Sequence, residues 1–148
     1  MDVTTPNIQF ATPFFMVSDM EASLKFYVDG LGFKVVNTWT PRGKIEWCWL
    51  QRESGSIMLQ EPRATADKPF LSGDKPGAGV AICFQCLDAL ALYKEYTQKA
   101  IKTQEPFVGN GLWDLSLTDP DGYCLHFESP TEVPEETKYS DWITKKKS

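Results

Sequence analysis

The sequence predicts an α+β fold made of two consecutive βαβββ modules, and three observations carry that expectation. Strand-type and helix-type hydrophobic patterns follow one another in the same order twice. A proline- and glycine-rich segment at 62–77 separates the two runs. Short matches between the halves keep a near-constant offset. Met20-Glu21-Ala22 precedes Leu87-Asp88-Ala89 by 87 − 20 = 67 residues, and Ile57-Met58-Leu59 precedes Leu125-His126-Phe127 by 125 − 57 = 68. Two modules, each with a helix on one side of its sheet, leave the other sheet faces to meet or to curl around a cavity.

Module 1 occupies about 8–61. Its first strand is read over 10–17, rich in aromatic and apolar side chains. Ser18 is the expected N-cap of the following helix, with Glu21 three positions on, and Met20, Leu24, Tyr27, Val28 and Leu31 recur at helical spacing before Gly32. Strands follow at 33–39, 45–51 and 56–60, the last two joined by a tight Ser54-Gly55 loop. Module 2, about 78–130, repeats the order with a strand at 79–84, a helix at 87–100 showing Leu87, Leu90 and Ala91 on one face, and strands at 112–118 and 123–128 around Asp119-Pro120-Asp121-Gly122. The tail, 131–148, starts extended and is read as a short helix from Pro134, whose Trp142 and Ile143 need a surface to cover.

Composition narrows the function. The 148 residues carry 15 Lys and Arg against 20 Asp and Glu, a net charge of −5, and the dense basic run is Lys145-Lys146-Lys147 at the end. Phosphate contacts need clustered cations, so nucleic acid is not an expected partner. No apolar run reaches the ~20 residues that cross a bilayer, and the first residues lack a signal-peptide pattern, so the chain is expected to be cytoplasmic with no membrane partner. Cys48, Cys83, Cys86 and Cys124 lie in apolar runs and read as small buried hydrophobes.

Val17-Ser18-Asp19-Met20-Glu21-Ala22-Ser23-Leu24-Lys25-Phe26-Tyr27 with Leu31-Gly32-Phe33, and Asp119-Pro120-Asp121-Gly122-Tyr123, resemble motifs of the vicinal oxygen chelate superfamily. That superfamily includes glyoxalase I, the bleomycin-resistance proteins and the extradiol dioxygenases. The resemblance implies that the modules form an incomplete mixed β-barrel with a central cleft, often in a homodimer. It also implies metal-ligand positions at Thr12, Met58, Gly79 and His126. Only His126 is of a usual ligand type, so no metal or other cofactor is expected and the pattern falls nearest the metal-free, bleomycin-resistance branch.

Strand alternation assigns the faces. A Ser54-Gly55 loop pairs 51 with 58 and 49 with 60, placing Trp47, Trp49, Gln51, Met58 and Gln60 together, with Cys48, Leu50, Ile57 and Leu59 under the helix. A five-residue loop at 119–123 keeps Leu115, Leu117, Leu125 and Phe127 together and leaves Asp114, Ser116, Cys124, His126 and Glu128 on the opposite face. Thr12, Phe14 and Met16, and Gly79, Ala81 and Cys83, join the cleft face by parity.

The expected ligand-binding residues are therefore Phe14, Trp47, Trp49, Met58, Gln60, Asp114, Ser116 and His126, with His126 and Glu128 the candidates for any catalytic role. Aromatic walls beside carboxylates suit an amphipathic small molecule, aromatic or cationic, that is bound or sequestered, as in antibiotic resistance. Two readings stand beside this one. A lone histidine and paired tryptophans also serve as satisfied polar group and barrel filling. An enzyme, if present, is a metal-dependent glyoxalase-like lyase or isomerase, or an extradiol-type dioxygenase.

Overall fold

The computed structural model describes residues 5–62 and 75–147. Most of the expected connector therefore lies outside the described residues. Module 1 runs β1 (Phe14–Met16), α1 (Met20–Leu24), a π-helical continuation (Lys25–Gly30), β2 (Lys34–Trp39), β3 (Trp47–Arg52) and β4 (Gly55–Gln60). Module 2 runs β5 (Ala81–Gln85), α2 (Ala89–Gln98), β6 (Phe107–Gly109), β7 (Leu112–Thr118) and β8 (Cys124–Pro130), and α3 (Tyr139–Lys147) follows. Each module forms a four-stranded mixed sheet, in the orders β1-β4-β3-β2 and β5-β8-β7-β6, and the two close no barrel. In both sheets the first strand lies parallel to the last.

Several elements depart from the sequence reading for identifiable reasons. The first strand begins only at Phe14, because Pro13 has no N–H for the ladder, although its carbonyl accepts from Met58 N–H at 2.8 Å. Asp19, not Ser18, caps α1 through the Ala22 N–H, while the Ser18 N–H is donated to Asp121. The α2 cap is the equivalent Asp88, so Leu87 precedes the helix and is fully exposed, and the buried helix face carries Ala89 and Tyr96. Strand β6 is absent from the sequence reading. Its signal was Asn110-Gly111, both at positive φ, which turns the chain from Gly109 to Leu112 as Asn-Gly pairs commonly do in hairpins.

The β3–β4 register also differs. Glu53 and Ser54 form the loop between paired Arg52 and Gly55, so Trp49 opposes Met58 and Trp47 opposes Gln60. Gly55 serves close packing instead of the turn, since a Cβ there would lie 3.2 Å from the Phe84 ring. A shift of two residues preserves side-chain parity, so the face assignment survives. The β7–β8 register matches expectation, with Ser116 opposite His126 and Asp114 opposite Glu128.

The helix-side faces of both sheets merge into one core. Cys48, Leu50, Ile57 and Leu59 from module 1 join Leu115, Leu117, Leu125 and Phe127 from module 2 around Tyr27, Leu31 and Tyr96. Phe15 stacks on Tyr123 with centroids 3.9 Å apart, and Arg52 pairs with Glu95 across the modules at 2.8 Å. The tail packs on its own chain. Residues 136–139 hydrogen-bond along β6, and Trp142 meets Trp113 with ring centroids 5.5 Å apart. A turn at 135–136, with Glu136 at φ 63°, follows Pro134 in place of the expected helix start, and the helix begins at Tyr139.

The turn after β7 locks the modules together. Asp119 and Asp121 are both buried. Asp119 accepts from the N–H groups of Asp121 and Tyr123 at 2.9 Å and from the Tyr27 hydroxyl at 2.7 Å. Asp121 accepts from the Ser18 N–H at 3.1 Å, and Gly77 N–H donates to the Asp121 carbonyl at 3.0 Å. Gly77 is required there, because a Cβ would fall 2.1 Å from Tyr123 N. Burial, and then the Asp119 charge, push the Tyr27 hydroxyl far above its ordinary pKa, so it remains a donor. Replacing Tyr27 with Phe strands one oxygen of a buried carboxyl group and should cost about 2 kcal/mol of stability. Urea unfolding measures this as a lower midpoint at unchanged slope, and an unshifted midpoint would show that the bond contributes nothing.

Candidate functional site

Each sheet turns its other face away from the shared core, and the candidate residues lie there. On module 1, Phe14 neighbours Met58, Met58 opposes Trp49, and Trp47 opposes Gln60, so all five expected residues occupy one patch. Trp47, Trp49, Met58 and Gln60 are half-buried and Phe14 is exposed. The Phe10 ring lies 6.1 Å from Trp49. The indole N–H of Trp49 and the hydroxyl of Thr12 are buried without a hydrogen-bond partner. Trp39, which opposes Trp47 from β2, extends this wall and was missed because the sequence reading assigned no faces to that strand.

Module 2 presents a polar face. His126 Nδ1 lies 2.9 Å and 3.0 Å from the two oxygens of Asp114, its diagonal cross-strand neighbour. On the other side of the ring, Nε2 is 3.3 Å from Cys124 Sγ, two residues back on the same strand. Glu128 accepts from the Gln85 side-chain amide at 2.8 Å, and Cys83 is the β5 neighbour of His126. The imidazole is about a quarter exposed, at 26%. It lies on the outer face and not beneath the helix.

The structure thus groups Asp114, Ser116, His126 and Glu128 on one sheet and the aromatic residues on the other. Cys124 was placed on the right face but given no role. The signal for it was the i, i+2 spacing to His126, which in a strand sets two side chains side by side.

The cysteine expectation needs correction, since only Cys48 is buried. Burial pushes its thiol up to about 11. Cys83 is exposed, and Cys86 and Cys124 are half-buried. A separate pocket of about 570 Å³ opens between the modules, bounded by Phe33, Arg52, Phe84, Asp88, Glu95 and Tyr96, residues to which the sequence reading gave no site role.

Comparison with known proteins places this architecture. The model of the Glyoxalase/Bleomycin resistance protein/Dioxygenase superfamily matches residues 9–127. The chain belongs to that superfamily. No curated protein matches its sequence. Among solved structures, a glyoxalase/bleomycin resistance protein/dioxygenase from Nocardioides superposes with a TM-score of 0.66 at 16% identity, covering 90% of each chain. TnmS3, an antibiotic binding protein from Streptomyces sp. CB03234, gives 0.62 at 18% identity over 86% of this chain and 100% of its own. A bleomycin-binding protein complexed with bleomycin gives 0.62 at 21% identity over 84% of this chain and 100% of that one. At these identities the likeness establishes the fold alone.

The superfamily's metal finds a poor fit here. Pairing of Phe14 with Met58 and of Cys83 with His126 makes the module offset 83 − 14 = 69 for the first strands. Thr12 therefore corresponds to Ala81, and Gly79 falls ahead of β5 at φ 80°. Neither Ala81 nor Gly79 supplies a donor, and Met58 offers only a thioether. Asp114, His126 and Glu128 do bring donor atoms within 4.8 Å of one another. The Asp114 oxygens and Nδ1 are already spent on each other, however, and Glu128 holds Gln85. These bonds would have to give way before the three groups could serve as the three or four donors a divalent ion requires.

Proposed function

We propose that the chain binds and sequesters an amphipathic, aromatic or cationic small molecule on its outer sheet faces without a metal ion. The observation that carries this reading is the Trp47, Trp49 and Met58 wall. It is half open on a sheet that closes no barrel, and it takes no part in the core. Indole faces stack on aromatic ligands and attract cations. Asp114 and Glu128, on a chain of net charge −5, favour a cationic ligand over an anionic one. The neighbours described as antibiotic-binding and bleomycin-bound support the same class of ligand.

A second copy of the chain completes the site in this reading. The aromatic and polar half-walls point away from one shared core, and a two-fold operation sets module 1 of one protomer opposite module 2 of its partner, twice over. Ile8, Phe10 and Phe14, exposed by 84%, 69% and 48%, supply apolar surface along the edge of module 1 for that contact. The chain carries no helix long and apolar enough to cross a membrane among its described residues.

Titration with bleomycin and with a small cationic aromatic dye should quench tryptophan emission saturably, and Trp49→Ala should weaken binding by about 1–3 kcal/mol. Unchanged affinity in Trp49→Ala and Trp47→Ala would remove the wall from the site. Elemental analysis should find no stoichiometric transition metal, and one equivalent that disappears in His126→Ala overturns the metal-free reading. In sedimentation, the 16.7 kDa chain should run as a dimer, and Phe14→Lys should shift it towards monomer.

A further inference from the structure

We propose that Cys124, His126 and Asp114 form a nucleophile, base and orienting group that add the Cys124 thiol to an electrophilic carbon of a small molecule on the module 2 face. The three side chains make one chain of contacts, with Asp114 oxygens 2.9 Å and 3.0 Å from His126 Nδ1 and Nε2 3.3 Å from Cys124 Sγ. A carboxylate on Nδ1 fixes the ring proton there and leaves the Nε2 lone pair facing the thiol, which therefore donates to it. This is the relation of nucleophile, base and orienter that recurs on unrelated folds, and strand geometry alone produces it here. Cys124 and His126 share a face at i, i+2, and the pairing of Ser116 with His126 brings Asp114 in on the diagonal. Neither the shared core nor the aromatic wall needs this arrangement.

The fitting substrate is a conjugated carbonyl compound. As Sγ bonds to its β-carbon, the thiol proton passes to His126 Nε2 and the carbon–carbon π pair moves onto the carbonyl as an enolate. His126 then returns the proton to the α-carbon. Hydrogen and sulfur have been added across the double bond, nothing is oxidised or reduced, and no co-reactant is consumed. The product is a ligand captured covalently, one per chain. Burial, and then the Asp114 charge, push the Cys124 thiol up, so the proton is removed during attack and not beforehand. Asp114 is a positioning residue and His126 the group that moves the proton.

The proposal rests on the preceding reading only in taking this face as open to small molecules. Its test, limiting N-ethylmaleimide at pH 7 followed by peptide mapping, needs no tryptophan wall and can succeed or fail independently of the quenching experiment. Exposure alone ranks Cys83 first, Cys86 and Cys124 behind it, and Cys48 last. The proposal instead puts Cys124 ahead of Cys83 by about tenfold or more. His126→Gln should slow Cys124 by about the same factor. Asp114→Asn separates the alternatives by sign. If Cys124 merely felt the carboxylate's field, removing that charge would quicken labelling, whereas loss of the orienting group slows it, and Asp114→Glu should restore part of the rate. Cys48, wholly buried, stays unlabelled wherever the fold persists, which screens each variant. Labelling of Cys83 before Cys124 in the unaltered protein, or faster Cys124 labelling in Asp114→Asn, overturns the assignment.

Discussion

The architecture depends on a carboxylate buried between two modules. Asp119 gathers two backbone N–H groups of its own turn and the hydroxyl of Tyr27 from the other module. Burial raises the carboxyl group above its ordinary pKa, while the bonds from Tyr27, Tyr123 and Asp121 oppose that rise. Its neighbour Asp121 takes the Ser18 N–H at the entrance to α1, and Gly77 closes from the connector side. A sheet-to-sheet contact of aliphatic side chains alone would leave the relative orientation loosely specified. Directional bonds to a buried acid specify it, since any slip strands polar groups that have no water to replace their partners.

That orientation decides what the sheets can do. Because the modules meet through their helix sides, alternation sends Trp47, Trp49 and Met58 to one outer face and Asp114, His126 and Cys124 to another. Each strand therefore separates two tasks along its length. Leu115, Leu117, Leu125 and Phe127 hold β7 and β8 in register from the core side, and the same register sets Asp114 diagonal to His126. A one-residue slip of either strand would take its two side chains of this set off the core side and scatter the polar group at the same time. The site geometry is thus fixed by packing that lies behind it.

The same coupling explains which parts were legible in the sequence. Faces were readable because a buried set of Leu and Phe in alternation admits one parity, and parity survived even where the β3–β4 pairing was shifted by two residues. The module order was readable from the repeat, and the superfamily from its motifs. The cap at Asp19 was not, since Ser18 and Asp19 are both good capping residues and only the distant Asp121 decides between them. Gly55 misled for a similar reason. A glycine in a hairpin suggests turn chemistry, and its use here, close approach to Phe84, depends on the other module.

Long-range contacts also account for the gap between residues found and roles assigned. The turn at Asp119 looked like punctuation because its partners, Tyr27 and Ser18, lie 92 and 103 residues away. Cys124 looked like core because apolar neighbours flank it in the chain. Only the strand period sets it beside His126, on the side away from those neighbours. Exposure then separates the four thiols chemically. Cys48 lies in the core with an ionisation pushed up to about 11, whereas Cys124 combines partial exposure with a contact to an imidazole that is itself held by a carboxylate. Identical side chains in similar apolar runs thus acquire different chemistry from the face they occupy, and the period-2 geometry of the strand determines that face.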